Sequence, residues 1–250
     1  MIPPVISTPF QYRPLEQPAE NTDSDTPAKN LSRSRRNVGE PAKYWPQNST
    51  LKIATYDWDL DDDYVQAVMK AASHWLPHIN LKFEFVTGEE GDVRISQDWR
   101  GTGGGSSHIG TDAQNAAPWA ATMKLPLDHT HPRFEYVVTH EFGHMLGAHH
   151  AHQHPDANIP WNHGKVYDGY RRLANLDKQG VQANVLPLPR NDTYDFLPYD
   201  GDSVMHYEVR PQMTDGNWGQ SESWSLSDGD IAWAKKAYPR EKRNSPLLFF

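Results

Sequence analysis

A glutamate beside a histidine, with a second histidine four residues from the first, is a combination that can hold a metal ion and use it. The segment Thr139 to His144, THEFGH, has this arrangement. On an α-helix, residues four apart share one face, so His140 and His144 can both point at a single ion. Glu141 then stands next to the metal, where a general base for a metal-bound water belongs. Gly147 follows three residues after His144. Glycine adopts the left-handed backbone that ends a helix and turns the chain sharply. Such a turn can return His150 to the same ion, completing the pattern H-E-x-x-H-x-x-G-x-x-H. Three neutral imidazoles suit Zn²⁺ and leave its fourth position for water. Nitrogen ligands also favour zinc over calcium or magnesium. The plainer alternative is a helix whose histidines merely face solvent. It would need the Glu, the Gly and the third His to fall in register by chance. The 22 residues from Val137 to Asn158 hold six of the 13 histidines in the chain. Nothing in the spacing of His149, His152 and His154 requires them at the metal, so they are expected as surface imidazoles or as contacts around the ligands.

These residues need a scaffold. RFEYVVTHEFGHMLGAHH reads as a helix with Phe134, Val137, Val138, Phe142 and Met145 on its apolar face. Upstream, LKIATYD (51–57), LKFEFVT (81–87) and DVRISQD (92–98) read as strands. Between the first two, acidic residues lead into Val65, Val68, Met69, Ala72 and Trp75 at helical spacing, a helix of about four turns ending near Pro77. WAATMKLPL (119–127) is a further candidate strand. The glycine-rich RGTGGGSSHIG lacks the Lys-Ser/Thr ending of a phosphate loop. It reads either as an ordinary loop or as a loop entering an edge strand near Ser106 to Gly110. Beyond His150 the sequence turns irregular. One helix is expected at about Lys165 to Leu173. Another follows Ser227, a good N-cap with Asp230 as its capping-box partner.

Composition limits the function classes. The chain has 250 residues with a net charge of −8, which argues against a nucleic-acid partner. No stretch approaches the ~18 apolar residues of a membrane span. Cysteine is absent, so the fold uses no disulfides. The N-terminus has no basic region followed by an apolar core and does not read as a signal peptide. Cytoplasmic residence or export by a specialised secretion system is expected. Residues 1–41, rich in Pro, Ser, Asn and Asp, read as a leader or pro-segment, disordered on its own. Its basic end, SRSRRN, is either a solvated patch or a processing site. Order is expected to begin near Tyr44. The terminal SPLLFF is a short apolar tail.

With DSVMHY downstream, the extended histidine motif resembles the metzincin zinc endopeptidases, and most closely the astacin family. Met205 matches their methionine turn beneath the metal, and Tyr207 matches the turn tyrosine that stabilises the reacting carbonyl. HEFGHMLGAHHAHQHPDANIPWN and the YWP at Tyr44 to Pro46 carry the rest of the likeness, which spans about residues 42–240. The chain departs from the pattern in three ways. Ala151 replaces the acid that in many astacins anchors the mature N-terminus, the usual disulfides are missing, and no inhibitory F-x-G-D segment is found.

The resemblance implies an α+β, metzincin-like two-lobed fold. An N-terminal lobe, 42–150, would hold a twisted mixed sheet, a backing helix and the active-site helix. An irregular C-terminal lobe, 151–250, would carry the Met-turn and a terminal helix. It further implies a monomeric zinc endopeptidase acting on protein or peptide substrates. His140, His144 and His150 would ligate one Zn²⁺, with Glu141 as base and Tyr207 stabilising the oxyanion. The rival reading is a catalytically silent zinc module that recognises a partner protein.

Overall fold

The computed structural model of the protein describes residues 5–6, 37–56, 58–98 and 103–240. The rest of the segment expected as a leader, including the basic SRSRR run, and the SPLLFF tail lie outside the described residues. The main sheet has six strands: β1 (Val5–Ile6), β3 (Thr50–Ala54), β4 (Lys82–Val86), β5 (Val93–Asp98), β6 (Ser106–Ser107) and β7 (Met123–Pro126). Their order is β1-β6-β7-β5-β3-β4. The four long strands are parallel, with Ile53 opposite both Phe85 and Val93, and Ile95 opposite Met123. β6 runs antiparallel to β7, and β1 antiparallel to β6, so the sheet is mixed. The strand expected at residues 119–127 is confined to Met123–Pro126, and the edge strand expected at 106–110 to Ser106–Ser107. Past Ser107 the chain leaves the sheet and enters a 3₁₀ turn at Gly110–Asn115.

Two helices lie against this sheet. α1 (Asp63–Ala72) starts where the Asp62 carboxylate accepts from the Tyr64 amide, and Asp63 favours the same positive helix end. Its Tyr64, Val65, Val68 and Ala71 are buried, and it tightens into a 3₁₀ segment, Ser73–His78, that carries Pro77. α2 (Phe134–Met145) is buried along nearly its whole length. A helix buried all round is a core helix, and it needs partners for its polar groups. The Trp75 indole supplies one, donating to the Thr139 carbonyl at 2.9 Å. Glu135, on the outer side, pairs with Lys70 and His74.

The second half is less irregular than its sequence suggests. α3 (His163–Ala174) is capped by Asn162 and ended by Asn175, whose φ is 51°. α4 (Lys178–Asn184), capped by Asp177, was not legible in the sequence. KQGVQAN has too few apolar residues for a helical period. Its burial comes from Val181 together with Val185 and Leu186 just past its end. These join Trp161, Val166, Tyr170, Val209 and Met213 in a second apolar cluster. α5 (Asp228–Ala237) has the expected capping box between Ser227 and Asp230, and its Trp233 packs edge-on against Trp75 in the main core.

Order starts ahead of Tyr44. Asn37 and Val38 are buried, and β2 (Val38–Gly39) pairs with β8 (Asp195–Phe196). The Asn37 amide donates to Asp230, and the Glu40 backbone amide donates to the Gly147 carbonyl at 3.1 Å. Residues 37–40 are therefore part of the fold, earlier than the boundary expected at residue 42.

Candidate active site

α2 presents His140, Glu141 and His144, and then stops. Gly147 takes a φ of 100°, and the Gly147 and Ala148 amides close onto the His144 and Gly143 carbonyls. The site demands glycine twice over. The left-handed backbone disfavours a side chain, and a Cβ at Gly147 would sit 2.7 Å from the Tyr44 ring. The turn brings His150 back. His144 Nε2 lies 3.1 Å from His140 Nε2 and 3.0 Å from His150 Nε2. All three rings are fully buried. Among the described residues, theirs is the group of three side chains that brings ligand atoms together within 4.8 Å.

Their second nitrogens settle the protonation. His140 Nδ1 faces the Val204 carbonyl and His144 Nδ1 the Ala148 carbonyl, each at 2.8 Å. His150 Nδ1 faces Gln153 Oε1 at 3.2 Å. Each partner only accepts, so each ring carries its proton on Nδ1 and turns a bare Nε2 lone pair inward. Burial keeps the rings neutral. It takes His140 down to about 4, and His144 and His150 well below the usual histidine range. Three bare lone pairs pointing at one another in a buried space repel unless a cation lies among them. Nitrogens ~2.0–2.1 Å from one tetrahedral zinc stand about 3.3 Å apart, close to the separations here. The donor set fits zinc.

Glu141 is fully buried beside His140. Gly105, next to β6, presses against it. A Cβ there would come within 2.8 Å of Glu141 Oε1, so the chain entering β6 passes directly by this carboxylate. Beneath the histidines lies the turn Ser203 to Tyr207. The Asp230 carboxylate accepts from Ser203 Oγ at 2.7 Å and from the Val204 amide at 2.9 Å. The same turn offers the Val204 carbonyl to His140, and its Met205 carbonyl accepts from the Ala151 amide at 2.9 Å. Met205 is fully buried against Gly143, where a Cβ would collide with its sulfur.

The Tyr207 ring lies 4.0 Å from that of His150 and 5.7 Å from that of His140, stacked on the latter at 18°. Burial, and then the Glu141 carboxylate, push its phenol well above the usual value, so it is a donor at neutral pH. All five residues singled out in the sequence are thus brought together.

The family model for Astacin, a peptidase family, matches residues 37–218. The chain belongs to the astacin family. The solved structure of myroilysin superposes with a TM-score of 0.72 at 28% identity, covering 82% of this chain and all of that one. The hatching enzyme HCE-1 of Oryzias latipes, at 15% identity and a TM-score of 0.53, shares the fold over 78% of this chain and 93% of its own. Among curated proteins, human matrix metalloproteinase-17 is 27% identical over 206 residues, 72% of this astacin-family chain and 34% of that protein. Tolloid-like protein 2 of mouse and human is 27% identical over 189 residues, 69% of this chain and 17% of theirs. The chain therefore spans about a third or less of the curated relatives it matches.

The family resemblance did not reach every residue around the site. His149, His152 and His154 are all buried, so the surface reading fails for them. His149 pairs with Glu40, His154 donates to the Leu197 carbonyl, and His152 stacks on Tyr207 at 4.6 Å. Asp230 was visible only as a helix cap, and Gln153 carried no signal at all.

Proposed function

We propose that the chain is a zinc-dependent endopeptidase that hydrolyses peptide bonds in proteins. The observation that carries this reading is the convergence of three bare imidazole nitrogens beside a buried glutamate and the strand β6. His140, His144 and His150 would hold the ion. Bound there, zinc supplies a Lewis acid that acidifies a water and polarises the scissile carbonyl. Glu141 takes the proton of the attacking water and passes it to the leaving amine, so one carboxylate serves as base and then as acid. Tyr207, protonated, donates its hydroxyl to the oxyanion as it forms. Substrate lies extended along β6 by main-chain pairing, which brings its backbone past Gly105 to Glu141. Val5–Ile6 already pairs with this edge, antiparallel, in the manner of such a strand. We assign the catalytic unit to the residues from Asn37 onward, acting as a monomer on protein or peptide substrates. No helix among the described residues is long and apolar enough to cross a membrane.

A silent zinc module that only recognises a partner would have no use for a buried carboxylate beside the metal. The test is casein digestion by protein of known zinc content, before and after chelation. Digestion that stops on chelation and returns with added zinc is expected. Digestion unaffected by metal removal would exclude the mechanism.

A further inference from the structure

His140 and His144 are oriented by backbone carbonyls, Val204 and Ala148. His150 differs. The group facing its Nδ1 is a side chain, Gln153 Oε1. A glutamine amide can present either end, so something must choose the end that meets the histidine. Gln153 Nε2 donates to the Ala183 carbonyl at 3.0 Å and to the Leu186 carbonyl at 3.2 Å. Carbonyls only accept, so both contacts require the NH₂ end, and the oxygen is left facing His150. That oxygen in turn requires the proton on Nδ1, and the lone pair falls on Nε2.

The Ala183 and Asn184 carbonyls belong to the last turn of α4, where helix carbonyls lack an intrahelical donor. Val181 O, by contrast, receives the Val185 and Leu186 amides. The turn's open acceptors are filled from the site. Gln153 takes Ala183, and His152 Nε2 faces Asn184 O at 3.2 Å. His152 Nδ1 then accepts from the Tyr207 amide at 3.4 Å. α4 itself is fixed in the second apolar cluster through Val181, Val185 and Leu186.

We infer that Gln153 is a positioning residue that fixes the ring orientation and tautomer of His150, and that the C-terminal turn of α4 sets the orientation of Gln153. The second apolar cluster thereby governs the third metal ligand. This rests on the zinc reading of the site. Partners of this kind, around a metal ligand, are worth ~10–100-fold in metal affinity.

Three proteins separate positioning from plain packing: the parent, Gln153→Met and Gln153→Glu. Met fills the space but offers His150 no acceptor. Glu keeps an oxygen at Nδ1. Both lose donors to α4, so both should lower the melting temperature of the zinc-free protein. Zinc affinity is read by competition with a chromogenic chelator. The Met variant should bind zinc ~10–100-fold more weakly, and the Glu variant within a few-fold of the parent. Equal affinity in the Met variant and the parent, or equal losses in both variants, would overturn the inference. Should the Met variant not fold, long-range ¹⁵N–¹H NMR of the zinc-free parent decides. The His150 ring is expected with its proton on Nδ1, and a proton on Nε2 would refute the role of Gln153. A parent that binds no zinc at all would sink the reading of the site, while the tautomer would still test Gln153.

Discussion

Tyr207 is packed between imidazoles, at 4.0 Å from the His150 ring and 4.6 Å from the His152 ring. In the proposed mechanism its hydroxyl matters only once negative charge develops on the substrate oxygen. Tyr207→Phe should therefore lower kcat by ~10²–10³, the scale of one oxyanion donor, and change KM little. An unchanged kcat would leave the ring a packing role only. The neutral histidines make a separate prediction. Burial holds His140 and His206 at about 4 and takes His144, His150 and His152 well below the ordinary range. In the unfolded chain each titrates near ~6.5. Between those values the unfolded state binds more protons, so stability rises with pH there. Their contribution is complete above about pH 6.5 and is lost as the pH falls toward 4. Each histidine adds up to about 1.4 kcal/mol per pH unit. In chelator, the urea midpoint should fall steeply from pH 7 to pH 5. A flat midpoint would contradict their burial as neutral rings.

At the scale of elements, α2 and the Met-turn are fitted to each other through Gly143 and Met205. Alanine is the better helix former by ~1 kcal/mol, so propensity alone favours Gly143→Ala. Packing decides the other way. The new Cβ would strike Met205 Sδ, with Trp75 3.1 Å away on the same side, and Met205 is fully buried. Overpacking costs ~1–3 kcal/mol. Net destabilisation, read by urea unfolding, is expected, and a stabilised variant would show that the turn yields. The elements that were legible announce themselves locally. α5 has Ser227 and Asp230 three residues apart, α1 its acidic first turn, and α2 its apolar positions. Those that were not legible depend on distant partners. α4 is held by Val185 and Leu186 outside its own span, and β2 by pairing with a strand more than 150 residues away. The burial of His149, His152 and His154 follows from the same cause, since their covers come from Glu40, Asn184 and Leu197.

For the whole molecule, the three-histidine cluster was readable because its spacing is dictated by one helix and one turn. The arrangement of the second half was not, because it is set by contacts between segments that carry no period of their own. The segment expected as a leader shows both sides of this. Its composition promises no core, yet Val5–Ile6 takes the edge of β6 where substrate is proposed to lie. A chain starting at Asn37 keeps the buried residues 37–40 and frees that edge. It should cleave peptides faster than the full chain at equal zinc content, with an unchanged melting temperature. Equal rates would reduce the leader to a linker or an export signal. The central claim is that a glutamate-assisted water attacks peptide bonds at a three-histidine metal site. The most direct measurement compares the parent with Glu141→Gln, at equal zinc occupancy, on a denatured proteome, counting new peptide termini by mass spectrometry. The parent should generate them, and Glu141→Gln should do so ~10²–10⁴-fold more slowly while keeping its zinc. A zinc-loaded parent that generates none, or a Glu141→Gln variant that cuts as fast, would contradict the account.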